Sequence, residues 1–89
     1  MSSYLLEAYT PASALLKDVE ARVRSAAAEL SESGTPVRYV RSIFVPEDET
    51  CFYLYEAASA EDVAKAARRA ALPFERVAEA VTRSGEEER

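Results

Sequence analysis

Hydrophobic positions along the chain recur first at every second residue, then at three- and four-residue steps, and the alternation of these two periods predicts six elements. SYLLEAYT (3–10) favours a strand, and Pro11 closes it off or opens the next helix. Leu16, Val19, Val23, Ala26, Ala27 and Leu30 then recur at helical spacing, while Lys17, Glu20, Arg24 and Glu29 fall elsewhere, as an amphipathic helix docked on a sheet requires. Gly34 and Pro36 end this helix, the glycine accepting the left-handed conformation and the proline unable to continue. PVRYVRSIFV (36–45) predicts a second strand, PEDE (46–49) a polar turn and TCFYLYEA (50–57) a third strand, together a hairpin. Ser59 to Asp62 resembles a capping box and opens a second helix, whose inner face of Val63, Ala66, Ala67 and Ala70 is small enough to lie close to a sheet. FERVAEAV (74–81) fits a helical stripe as well as a strand, and we read it as the fourth strand. SGEEER (84–89) is charged, with nothing to bury, so the expected organisation is one domain over 1–83 and a flexible acidic tail.

The order β-α-β-β-α-β predicts a ferredoxin-like α+β fold: an antiparallel four-stranded sheet in spatial order 4-1-3-2 with both helices on one face. If Val45 faces Thr50 across the turn, Phe44 pairs with Cys51, Ser42 with Tyr53 and Val40 with Tyr55 on one side. Ile43 with Phe52, Arg41 with Leu54 and Tyr39 with Glu56 form the other side. That second set carries the charges, and an unpaired charge beneath the helices costs several kcal/mol, so it belongs on the open face. The same parity puts Tyr4, Leu6 and Ala8 under the helices with Leu5, Glu7 and Tyr9 outside, and Ala78 and Ala80 under the helices with Val77, Glu79 and Val81 outside.

One strand resists the simple rule. CFYLYE (51–56) barely alternates in polarity, although a strand with one wet face should. The open face so predicted mixes Glu7, Arg41, Glu56 and Glu79 with Leu5, Tyr9, Tyr39, Ile43, Phe52 and Leu54. A contiguous apolar patch of this kind marks an interface or a ligand site. The expectation is a homodimer covering this face, with the charged groups lining what space remains.

Composition narrows the partners. At 89 residues the chain builds one modest core, and 16 acidic against 11 basic residues give a net charge of −5, which opposes nucleic acid and anionic membranes alike. Aromatics on a ferredoxin-like sheet also suggest RNA recognition, but the third strand has an acidic flank and no glycine. MSSYLLEAYTPAS lacks a basic start followed by a long apolar run, and no stretch approaches the ~20 apolar residues of a membrane span, so a cytoplasmic location is expected. The single Cys51 excludes an internal disulfide and reads as a small buried hydrophobe.

The candidate ligand-binding residues are Glu7, Tyr9, Tyr39, Arg41, Phe52 and Glu56, and the candidate metal ligands are Glu7, Glu56 and Glu79. With no histidine in the chain, these would offer oxygen donors, which suit Mg, Mn or Ca. The competing reading joins the same carboxylates to Arg41 or to the partner subunit as salt bridges. We expect a dimeric small-ligand or divalent-metal binding protein. The alternatives are a small cofactor-free enzyme of the dimeric α/β barrel type, in which a carboxylate beside an arginine serves as general base, and a non-catalytic interaction domain; no nucleophile or cofactor motif supports catalysis.

GTPVRYVRSIFVPEDETCFYLYEA (34–57), RAALPFERVAEAV (69–81) and the first strand with its Glu7 together resemble a family of small bacterial proteins, mainly actinobacterial and of largely unassigned function. The likeness spans nearly the whole chain and is carried best by Glu7, Arg41-Ser42, Phe52 to Tyr55, Glu56-Ala57 and Leu72-Pro73. It implies a ferredoxin-like fold, dimeric subunits and, from a nickel-binding member, nickel as a possible cofactor.

Overall fold

β-Branched and aromatic residues concentrate in the hairpin strands between residues 37 and 57, and alanine dominates the buried faces of the helices; the fold joins the two. The computed structural model describes residues 1–11, 13–83 and 85. Its elements are β1 (Ser2–Tyr9), α1 (Leu16–Glu32), β2 (Val37–Val45), a 3-10 turn (Pro46–Asp48), β3 (Thr50–Ala57), α2 (Ala60–Arg69) and β4 (Arg76–Ala80). The strands form one antiparallel sheet in the order β2-β3-β1-β4, the ferredoxin-like arrangement. The segment that fits helix and strand equally well is thus a strand, held at the edge by β1. The expected tail at 84–89 lies, apart from Gly85, outside the described residues.

Local chemistry sets the helix ends. Ser59, in extended conformation, accepts the Asp62 backbone N–H on its hydroxyl at 3.2 Å, and acidic residues in the first turn of α2 with Arg68 and Arg69 in its last complement the helix dipole. α1 closes with Gly34 at φ +107°, where the Thr35 N–H reaches the Leu30 carbonyl and the Gly34 N–H the Ser31 carbonyl. The same double closure ends α2, but there Ala71 occupies the left-handed position at φ +56°. A Cβ in that conformation costs about 1 kcal/mol.

The core lies between the sheet and both helices. Tyr4, Leu6 and Ala8 from β1 and Cys51, Tyr53 and Tyr55 from β3 meet Val23, Ala26 and Ala27 of α1 and Val63, Ala66 and Ala67 of α2. Small helix residues leave room for two large tyrosines, so the volumes interlock. In β3 the burial alternates strictly even though the polarity does not: Phe52 and Leu54 point to the side that no helix covers.

Two expected placements are corrected. First, the β2–β3 register runs as expected from Val45↔Thr50 to Arg41↔Leu54, then slips at Val40, so that Tyr39 pairs with Tyr55 and Arg38 with Glu56. The extra residue is a β-bulge, and it turns Tyr39 from the open face to the helix face. There its ring lies 6.0 Å from that of Tyr55 and 6.4 Å from that of Tyr53, with the Arg24 guanidinium 5.6 Å from its centroid. The Tyr39 hydroxyl bonds the Ser42 hydroxyl, a contact that residues three apart on a regular strand cannot make because they face opposite ways. The exchange buries a tyrosine ring in place of a valine, which is the larger apolar gain. Second, β4 has the opposite parity from that expected: Val77 pairs with Leu6 and packs on the core, while Ala78 faces Leu5 and Arg76 faces Glu7. Burying Val77 removes more apolar surface from water than burying Ala78 does. Glu79 pairs with Tyr4 and so leaves the open face.

Candidate ligand site on the open sheet face

The open face is built from alternate residues of all four strands. Across the sheet from β2 to β4 one row reads Arg41, Leu54, Leu5, Ala78, and the next reads Ile43, Phe52, Glu7, Arg76. Apolar groups therefore fill the middle of the face. Ile43 is 53% exposed and Tyr9, at the end of β1, 59%.

Two ion pairs stand at diagonally opposite corners. Arg38 Nη1 meets Glu56 Oε1 at 2.9 Å, and Arg76 Nε meets Glu7 Oε1 at 3.2 Å. Neither arginine was singled out from the sequence: Arg38 reaches this face through the bulge, and Arg76 through the parity of β4. Among the described residues no carboxylate lies within ion-pair distance of Arg41, the partner expected for Glu7 and Glu56.

A groove of about 760 Å³ crosses one end of the face, lined by Arg41, Val40, Ile43, Leu54, Glu56 and the segment Val81 to Arg83. Of the six expected ligand-binding residues, Arg41 and Glu56 line this groove. Glu7 and Phe52 instead line a smaller hollow of about 160 Å³ with Leu5, Arg76 and Ala78. Tyr9 lies on the same side but in neither, and Tyr39 is on the opposite side of the sheet. Arg83 lies beyond the last strand, where no periodicity could have marked it.

The expected metal ligands do not come together. Glu7 faces Phe52, four residues along β3 from Glu56, a separation of about 13 Å at strand spacing. Glu79, opposite Tyr4, has the parity of the helix face and only borders the smaller hollow from the edge strand. Among the described residues no group of three or more histidine, cysteine, aspartate or glutamate side chains is placed to hold a metal ion. The remaining soft donor, Cys51, is wholly buried, and burial raises its thiol above the ordinary range, so it carries no thiolate near neutrality. The donor set among the described residues does not fit nickel.

Behind the sheet the tyrosines form a second polar cluster. Burial raises the Tyr39 phenol, an effect the Ser42 hydrogen bond partly offsets. Burial likewise raises Tyr53 and Tyr55, whose hydroxyls have no hydrogen-bond partner. The Cys51 thiol and Thr10 hydroxyl are close enough to influence Tyr53 without bonding it in ordinary geometry. These groups are too deep and too strongly protonated to serve as acids or bases near neutral pH.

Comparison with known proteins agrees with the architecture. No curated protein matches the chain. The crystal structure of SCO4226 from Streptomyces coelicolor A3(2) superimposes with a TM-score of 0.70 at 15% identity, covering 93% of this chain and all of that one. At that identity the likeness establishes the fold. Within the described residues no helix is long and apolar enough to cross a membrane. A family model described as "Nickel responsive protein SCO4226-like" matches residues 4–80, and the chain belongs to that family.

Proposed function

We propose that the protein is a cytoplasmic, homodimeric small-molecule binding protein whose two subunits stack open sheet face to open sheet face. The observation that carries this is the apolar middle of that face: Leu5, Ile43, Phe52 and Leu54 stand together on the side away from both helices. Buried apolar area is worth about 25 cal/mol per Å², so water is a poor permanent neighbour for such a band, and a symmetric partner presents the same band in return. The corner ion pairs then fall at the rim, where charge selects orientation more than it adds affinity. The grooves flanking the band become the space left between two sheets, and ligands occupy such apolar-walled clefts with a few polar anchors.

Nickel in the family's description belongs to the family. In this chain the carboxylates are far apart and the thiol is sealed, so no metal step is assigned. An enzymatic reading lacks support from the groups present, because the carboxylates on this face are held by arginines and the tyrosines behind it are buried.

The test is sedimentation velocity on the parent chain and on Leu54→Glu, across micromolar concentrations. A dimer that becomes a folded monomer in Leu54→Glu supports the reading. A parent chain that sediments as a monomer at all concentrations refutes it.

A further inference from the structure

Eight arginines lie among the described residues, and six have a partner. Arg22 donates to the Ala70 carbonyl at 3.1 Å, Arg24 lies over the Tyr39 ring, and Arg38, Arg68, Arg69 and Arg76 are paired with carboxylates. Arg41 and Arg83 have no such partner among the described residues, and both line the same groove. An exposed arginine needs no partner, but two converging on one groove of an acidic chain create a local field opposite to that of the molecule as a whole. Glu56, the one carboxylate in the lining among the described residues, is already neutralised by Arg38. Among the described residues the groove therefore carries an excess of two positive charges on a chain of net charge −5.

Its remaining wall is aliphatic apart from Ser3, Thr82 and Gly85. Val40, Ile43, Leu54 and Val81 line it, and the bulge is what sets Val40 beside Arg41 on the same side of the sheet. Guanidinium groups bind carboxylates through paired, charge-assisted hydrogen bonds, whereas a valine and leucine wall rewards only apolar surface. We propose that this groove binds a small carboxylate with an apolar body, the acid held by Arg41 and Arg83 and the body lying along Val40, Ile43, Leu54 and Val81. The inference rests on the open face being a ligand site. A metal cation is the wrong occupant here, because the field repels it.

The experiment is calorimetric titration of the full chain with octanoate, octanol and octylamine, three probes that share a body and differ in charge, with sedimentation of the same samples. Octanoate should bind at least about tenfold more tightly than octanol, and octylamine least, since a hydrogen bond to a charged group is worth that ratio or more. Arg41→Ala and Arg83→Ala should each bring octanoate towards octanol, and Arg41→Lys should recover part of the difference. Octanoate binding by a monomer supports this inference while removing the dimer. A dimer that binds the three probes alike, or none, overturns this inference and leaves the dimer standing. An Arg41→Ala variant that dissociates, from a parent that ignores octanoate, also overturns it, because the arginine then serves a carboxylate of the second subunit.

Discussion

Replacing Tyr55 by phenylalanine should stabilise the protein. The Tyr55 side chain is completely buried and its hydroxyl has no hydrogen-bond partner. Leaving such a group unsatisfied costs about 1–3 kcal/mol, and deleting the oxygen removes that cost while forfeiting only the contacts of one atom. The net expectation is a gain of about 1 kcal/mol, which for a domain of this size raises Tm by about 4–8 °C. Thermal and urea unfolding at one fixed protein concentration measures it, the concentration held because dimerisation would itself shift Tm. A second signature appears in alkali. Burial raises the folded-state Tyr55 phenol above its ordinary value of 10.0, so above that pH the unfolded chain releases a proton that the native state retains. Stability then falls as pH rises, and Tyr55→Phe should flatten this fall. A variant that loses about 1 kcal/mol or more would refute the reasoning, since it would mean that the hydroxyl is bonded, for instance to an internal water.

Deleting Val40, the extra residue of the bulge, should give an unbroken ladder that keeps Tyr39 opposite Tyr55 and Val37 under the helices; urea unfolding should change by no more than about 1 kcal/mol, and a loss of about 3 kcal/mol or more would contradict this register. Ala71→Gly should add about 0.5–1 kcal/mol by relieving the left-handed residue after α2, read from the same unfolding curves, whereas a loss of stability would count against that strain. Cys51 should resist thiol reagents in the native state, and because burial raises its folded value above the ordinary 9.0, its contribution to stability is intact below about pH 9 and is lost as pH climbs further; Cys51→Ala should weaken that dependence in denaturation at graded pH. Nickel titrated calorimetrically should give no stoichiometric complex that Glu7→Gln or Glu56→Gln abolishes, and a complex lost in either variant would show that two subunits assemble the donors one subunit keeps apart.

The order of elements, the strand sequence of the sheet and the residues beneath the helices in β1 and β3 were all legible in the sequence. They follow from local rules: the helical spacing of Leu16 to Leu30, the hairpin around PEDE, and alternation along a strand are each written in consecutive residues. The charge on the open face was legible in part, since Glu7, Arg41 and Glu56 are where their parity puts them, although not near one another. Tyr39, Arg38, Arg76 and Glu79 were decided only in three dimensions. A bulge is invisible to a period-two reading, because the inserted residue is chosen by what its neighbours gain, here the burial of the Tyr39 ring against Tyr55 under α1. The face of β4 was likewise open to either parity in a run of alternating small residues, until the room above Leu6 favoured Val77 over an alanine. Each such choice turns every side chain around it to the other side of the sheet, so the site depends on tertiary packing even where the fold does not.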